Sequence, residues 1–216
     1  MKKSVVLERK RAAEIVERLK VEYPNAKCSL NYKTDHQLLV ATILSAQCTD
    51  KRVNQITPGL FKKYRNIDSF AYCDVEELAQ DIYSAGYHNS KARSIQGSAL
   101  KIVEENDGQI PTNMKDLINL PGVGRKTANC VLGECFNVPS MVIDTHMIRI
   151  FNLLGFSKTK NAARMELELM EIFDEKDWVK LTHLIIEHGR AVCIARRPQC
   201  DKCVLEDLCP SARITN

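Results

Sequence analysis

No stretch of the 216-residue sequence is long and apolar enough to span a bilayer. Near the N-terminus, the apolar run Val5–Leu7 ends at Glu8, which is too early for the apolar core of a signal peptide. We therefore expect a soluble protein that works in the cytoplasm and has no membrane partner.

The sequence also lacks a convincing strand. No alternation of apolar and polar residues runs long enough, and the best candidate, Met141–Ile143, is very short. Apolar residues instead recur at helical spacing almost throughout, as at Ile95, Ala99 and Ile102. Residues typical of helix starts and stops agree with this period: Asp35, Asp50, Asp74, Gly86, Gly108 and Gly155. The sequence predicts an all-α protein of many short helices.

The nine cysteines do not predict a disulfide framework, because their number is odd and cytoplasmic thiols are kept reduced. Five are scattered singly, whereas Cys193, Cys200, Cys203 and Cys209 crowd into one segment. Four thiolates suit either a zinc ion or an iron–sulfur cluster. Zinc more commonly uses two C-x2-C pairs and only one is present, but spacing alone leaves both metals open.

The most specific stretch is Leu120–Ala128. Gly122 and Gly124, on either side of Val123, let the backbone turn tightly and bring its N–H groups close to an anion. The following helix adds free amides and the positive end of its dipole, which together suit a DNA phosphate. A net charge of +4 permits such a partner without predicting it. From these residues alone, a plain glycine turn between two helices is the alternative.

Three charged residues are candidates for catalysis or phosphate binding: Lys126, Arg125 and Asp144. Lys126 falls in the first turn of the helix, where the dipole disfavours an ammonium group and helps to expose a neutral amine. Arg125 must point elsewhere, since adjacent helix positions do not share a face. A solvated lysine or a second phosphate contact is the alternative for Lys126. Asp144 opens a later helix and is expected to be its N-cap.

Three stretches, Leu44–Asp50, Leu120–Ala128 and Ile143–His146, resemble the helix-hairpin-helix DNA glycosylase superfamily. The spacing of the four clustered cysteines resembles its iron–sulfur branch, which includes endonuclease III. The resemblance runs from about Leu19 to Cys209. It implies a two-lobed, all-α fold, with a helical barrel domain at residues 27–138 that contains the hairpin. A second lobe would combine residues 1–26 with 139–216.

The resemblance also assigns roles. It implies that Lys126 is the catalytic nucleophile and Asp144 the catalytic carboxylate. The backbone of the damaged strand would be bound by the hairpin residues Gly122, Val123, Gly124 and Arg125. The four clustered cysteines would hold a [4Fe–4S] cluster rather than zinc. We expect their loop to present three cations to phosphates: Arg196, Arg197 and Lys202.

Two further residues are expected to replace a nucleotide that has left the DNA stack. A base inside a duplex must be flipped out before its sugar is accessible, and the gap must be filled. The resemblance gives this role to Gln47, which has both a hydrogen-bond donor and an acceptor. Tyr87 stands where the family has an aliphatic wedge, and its ring would stack on bases. Ser45, Thr145 and His146 are candidates for the pocket lining.

The implied function is that of a bifunctional DNA glycosylase and AP lyase of base excision repair. Acting as a monomer, it would flip damaged bases, chiefly oxidised pyrimidines, out of double-stranded DNA and excise them. It would then cleave the strand 3′ to the abasic site by β-elimination. An adenine-type monofunctional glycosylase is disfavoured because such enzymes lack the hairpin lysine. A non-enzymatic DNA-binding module leaves Asp144 and Gln47 without a purpose, and an electron-transfer protein leaves the hairpin unexplained.

Overall fold

The computed structural model describes residues 3–212, and within that range it contains helices and no β-strand. The all-α prediction is therefore confirmed, and Met141–Ile143 lies outside any regular element. The helices are α1 Lys3–Glu22, α2 Asp35–Leu44, α3 Asp50–Lys63, α4 Ile67–Ala71, α5 Val75–Asp81, α6 His88–Glu105, α7 Met114–Ile118, α8 Arg125–Phe136, α9 Thr145–Leu153, α10 Ala162–Met170 and α11 Trp178–Ala191. Short 3-10 segments lie at Tyr83–Ala85, Glu175–Asp177, Cys200–Lys202 and Glu206–Leu208.

Two of the expected helix starts are wrong by one residue. Asp74 does cap α5, but the caps of α2 and α3 are Thr34 and Thr49, whose side chains accept from backbone N–H groups. Asp35 and Asp50 occupy the first helical position instead. A carboxylate there still interacts favourably with the helix dipole. Either residue type can cap, so the sequence could not separate two adjacent candidates.

One compact unit spans Cys28–Val138 and contains α2 to α8. At its centre is α2, which buries every residue from Leu38 to Leu44, as expected of a helix that is apolar on all sides. The largest fully buried side chains of this unit include Phe70, Leu78, Ile95, Ile102 and Leu117. The segment that follows Leu44 therefore starts from a firmly anchored helix end.

A second compact unit combines the chain up to Lys27 with the chain from Pro139 onward. Its core packs α1 against the later helices through side chains that include Ile15, Leu19, Phe151 and Leu184. Two arginines of α1 also hold the C-terminal segment. Arg11 donates to the carbonyl of Leu208 at 3.1 Å, and Arg18 to that of Val204 at 2.9 Å. Over residues 3–212, no helix has the length and apolar character needed to cross a membrane.

Candidate active site

The glycine hairpin, Leu120–Arg125, joins α7 to α8 and is packed against α6. Gly122 has a φ of +73°, and a Cβ atom at this position would lie 2.6 Å from the Cβ of Ser94. Ser98 donates a 2.6 Å hydrogen bond to the carbonyl of Pro121, and Val123 is buried. The turn therefore requires glycine at 122 for two reasons, its left-handed backbone and its close approach to α6.

The exposed side of this hairpin has the features of an anion site. Gly124 is the N-cap of α8 and makes no side-chain hydrogen bond to the first turn. The amides of that turn are thus not capped by the residue before them, which leaves them suited to an external acceptor. Arg125 and Lys126 are both exposed in the same turn. Backbone donors, helix dipole and two cations together suit a DNA phosphate.

We expect Gly122→Ala to lower the free energy of unfolding by about 2 to 4 kcal/mol, because a left-handed alanine and an overlap with Ser94 are both unfavourable. Gly124→Ala is the matched control. Its backbone is extended and a Cβ atom would meet nothing within 4 Å, so only the poorer N-cap preference of alanine acts against it, and its unfolding free energy should fall by less than about 1 kcal/mol. Urea denaturation of both variants measures the difference, and equal stabilities would contradict the described packing of the hairpin.

Both candidate wedge residues have a left-handed backbone. The non-glycine residues with positive φ in residues 3–212 are Gln47, Tyr87, Asp107 and Asn137. Aspartate and asparagine adopt this conformation comparatively often, whereas glutamine and tyrosine do so rarely. The side chains of Gln47 and Tyr87 are exposed, that of Tyr87 by 67%. Ser45, a candidate for the pocket, donates its hydroxyl to the carbonyl of Thr42 at 2.8 Å.

The candidate carboxylate is fixed from two sides. Asp144 is the N-cap of α9, and its Oδ1 accepts a 2.9 Å hydrogen bond from the backbone N–H of Met147. Its Oδ2 lies 3.1 Å from Nδ1 of His146. A Cβ atom at Gly189 would lie 2.8 Å from the His146 ring, so α11 approaches that ring closely. Thr145 is exposed. Asp144 is therefore in contact with both the first turn of α9 and the His146 ring.

The four clustered cysteines line one cavity in the second unit. Burial raises the pKa of Cys203 to about 11 and also raises those of Cys193 and Cys209, so thiolates here require a compensating positive charge. Four thiol groups around one cavity are a donor set that soft metal centres, including iron–sulfur clusters, prefer.

Two residues next to these cysteines were not predicted. Arg149 donates to the carbonyl of Cys193 at 2.6 Å and lies 3.5 Å from its sulfur. His188 Nε2 lies 3.6 Å from the sulfur of Cys203, and burial, followed by the charge of Arg149, lowers the pKa of His188 to about 4. The sequence held one signal for His188, since it follows the buried Leu184 at the i+4 spacing of an inward helix face.

The predicted residues are divided between the two units. Gln47, Tyr87, the glycine hairpin and Lys126 belong to the unit Cys28–Val138. Asp144, Thr145, His146 and the four clustered cysteines belong to the other. Within the first unit, Ser94 of α6 faces Gly122, and α2 also contacts both α6 and α8. The hairpin packs against α6. The two wedge segments, Ser45–Gln47 and Gly86–Tyr87, adjoin α2 and α6 respectively.

Two protein families match the chain. Residues 40–175 match the "HhH-GPD superfamily base excision DNA repair protein" family, in which HhH denotes helix-hairpin-helix. Residues 193–209 match the "Iron-sulfur binding domain of endonuclease III". The second match begins and ends at the outermost of the four clustered cysteines, and it confirms the predicted [4Fe–4S] cofactor.

Individual relatives cover nearly the whole chain. An endonuclease III of Synechocystis sp. is 50% identical over 206 residues, which are 95% of this chain and 94% of that protein. The solved structure of a non-covalent endonuclease III–DNA complex has a TM-score of 0.89 at 37% identity, covering 95% of this chain and 97% of the other. A trapped endonuclease III–DNA covalent intermediate gives the same values. With this extent of shared sequence and backbone, the chain belongs to the endonuclease III family of the HhH-GPD superfamily.

Proposed function

We propose that Lys126 and Asp144 carry the DNA glycosylase and AP lyase activity of this chain, and that oxidised pyrimidines in duplex DNA are its main substrates. The supporting observation is the placement of Lys126, exposed in the first turn of α8 directly behind the glycine hairpin. An endonuclease III–DNA covalent intermediate has been trapped, and such an intermediate requires a nucleophile. Lys126 supplies the amine.

The protein binds DNA through the phosphates of the DNA backbone, and the two wedge residues open the base stack. The amides of the hairpin and of the first turn of α8, with Arg125, bind phosphates of the damaged strand. Gln47 fills the gap left by the flipped nucleotide and hydrogen-bonds the partner base. Tyr87 stacks in the opened step, a role for which its 67% exposed ring is suited. Ser45, Thr145 and His146 contribute to the pocket for the flipped nucleotide.

Base removal requires a nucleophile and a fixed negative charge. The Lys126 Nζ attacks C1′ of the sugar as the bond from C1′ to the base breaks, and the base departs with the proton that Asp144 takes from the amine. Positive charge develops on the sugar in this step, and the Asp144 carboxylate stabilises it and accepts a proton from the attacking amine. The sugar ring then opens to an imine on Lys126. Loss of a C2′ proton expels the 3′ phosphate and cuts the strand, after which water releases Lys126.

We propose that Cys193, Cys200, Cys203 and Cys209 are the ligands of the cluster. When bound, the cluster supplies a rigid centre for the loop that they form, since metal binding contributes to local folding. Arg196, Arg197 and Lys202 are exposed in this loop. These three cations contact DNA phosphates, which makes the loop part of the binding surface.

The substrate class and the reaction can be tested in one experiment. Duplexes that contain thymine glycol, an abasic site or no damage are incubated with the holoenzyme, and strand cuts are resolved by denaturing electrophoresis. We expect cuts 3′ to the lesion in the first two duplexes and none in the third. Release of the base without strand cleavage would favour a monofunctional glycosylase, and binding without either reaction would favour a DNA-binding module.

The remaining expectations concern assembly and location. We propose that one chain is the active unit, so that the protein binds damaged duplexes as a monomer. We also propose that its helical barrel domain comprises residues 27–138, and that residues 1–26 and 139–216 form the lobe that carries the cluster. The enzyme would act in the cytoplasm, on the DNA there.

A further inference from the structure

A lysine that the proposed mechanism does not use is buried between the two wedge segments. Lys91 lies one turn into α6 and is only 6% exposed. Its Nζ donates to the carbonyl of Leu44 at 2.8 Å and to that of Ala85 at 2.9 Å. Burial lowers the pKa of Lys91, as expected for a cation removed from water. Burying a cation costs free energy unless hydrogen bonds compensate for the lost water. The two carbonyls supply such bonds to Lys91.

The two carbonyls are at equivalent places. Leu44 is the last residue of α2, three residues before Gln47, and Ala85 ends the 3-10 segment Tyr83–Ala85, two residues before Tyr87. Carbonyls at a helix end have no partner within the helix, and an ammonium group satisfies them and interacts well with the dipole. Lys91 therefore stabilises the last turn in front of each wedge residue.

Both wedge residues require such support because their conformations are unfavourable. Gln47 has a φ of 52° and Tyr87 one of 51°. For residues with a side chain the left-handed region is unfavourable, because the Cβ atom comes too close to the following carbonyl oxygen. Such strain persists only where the surrounding structure holds it in place. The Lys91 ammonium group is hydrogen-bonded to the residues that precede both wedge segments, so it fixes these segments with respect to each other.

We infer that Lys91 is a positioning residue that sets the relative placement of Gln47 and Tyr87, so that both side chains enter the DNA stack together. The inference depends on the wedge roles given under the proposed function. Base flipping is the step that it affects. Lys91 is not expected to touch DNA or the reacting atoms.

The test compares Lys91→Met with Lys180→Met. Methionine keeps the length and the apolar stem but removes the donors. Lys180 is a matched control because its Nζ also binds two carbonyls, those of Ala26 at 2.6 Å and Pro24 at 3.4 Å, and neither carbonyl is near a wedge residue in sequence.

Single-turnover excision of thymine glycol should fall by about tenfold to a hundredfold in Lys91→Met, since small misplacements of positioning groups have effects of this size. On an abasic duplex, which opens more readily, the loss should stay below about threefold. Lys180→Met should change either rate by less than about threefold.

A purely structural role would give a different pattern. In a background of Gln47→Ala with Tyr87→Ala, adding Lys91→Met should cost little more, because residues that act together are not additive. An equal loss on both duplexes, or an undiminished loss in that background, would overturn the inference. If Lys91→Met does not fold, Lys91→Gln, which keeps an NH2 donor group but loses the charge, is used for the same comparison.

A further arm separates this inference from the assignment on which it depends. Gln47→Ala is measured alone on both duplexes. If Gln47→Ala excises thymine glycol normally, the wedge role itself is wrong. If Gln47→Ala is impaired while Lys91→Met equals Lys180→Met, the wedge role stands and only the role of Lys91 is refuted.

Discussion

Lys126→Gln is expected to bind damaged DNA specifically but to form no borohydride-dependent crosslink and to cut no strand. If the Lys126 amine attacks C1′, the intermediate is an imine, and borohydride added during turnover reduces it to a permanent protein–DNA bond. Glutamine preserves much of the length and some hydrogen bonding but has no nucleophilic amine. Both products should fall by at least about a thousandfold, as when a covalent nucleophile is removed elsewhere. Denaturing electrophoresis of labelled duplexes measures both.

The choice of substrate and control makes this result decisive. An abasic aldehyde reacts with any nearby amine, so the duplex must carry its damaged base at the start. Arg125→Gln is the matched control, because it removes a neighbouring exposed charge from the same helix turn. At saturating DNA it should still crosslink, although its affinity falls with the loss of a phosphate contact. If folded Lys126→Gln crosslinked the base-bearing duplex at the wild-type rate, the nucleophile would be another residue.

Asp144→Asn should yield a stable protein that binds DNA but removes bases at least about a hundredfold more slowly, since one fixed group opposing transition-state charge is commonly worth this much. Asparagine also caps helices, so the bond from the Met147 N–H to position 144 is retained. The lost property is the negative charge that stabilises the sugar cation. Single-turnover release of the damaged base measures the effect.

Asp144→Ala separates the two functions of this residue. Alanine removes both the cap and the charge, and loss of a cap typically costs about 1 kcal/mol of stability. We expect Asp144→Ala to be as slow as Asp144→Asn and also less stable in urea. If Asp144→Asn were to release bases at nearly the wild-type rate, the carboxylate would serve only as the cap of α9.

The sequence predicted the hairpin well because its requirements are local. Gly122 and Gly124 were both identified as turn residues, yet only Gly122 has a positive φ and a close neighbour. The neighbour, Ser94, is distant in sequence, so its contact could not be foreseen from the turn. The caps of α2 and α3 show the same limit, because two adjacent residues of suitable type compete and the backbone decides between them.

The residues that escaped prediction act through contacts across the fold. Lys91 looks like an ordinary helix lysine, and nothing nearby in sequence reveals that Leu44, 47 residues earlier, presents its carbonyl to it. His188 and Arg149 likewise contact cysteines that lie on a later segment of the chain, Cys203 and Cys193. Periodicity indicates which face of a helix is buried, but not which partner lies there.

The division of the chain bears on how the protein is made. The unit Cys28–Val138 is continuous, so it can fold on the ribosome as soon as it has emerged. The other unit is interrupted by it, and α1 must wait until residues beyond Pro139 have been synthesised before Arg11 and Arg18 find their carbonyl partners. The segment that matches the iron–sulfur binding domain, residues 193–209, follows α11, so the cofactor is inserted only after the helices named above have been synthesised.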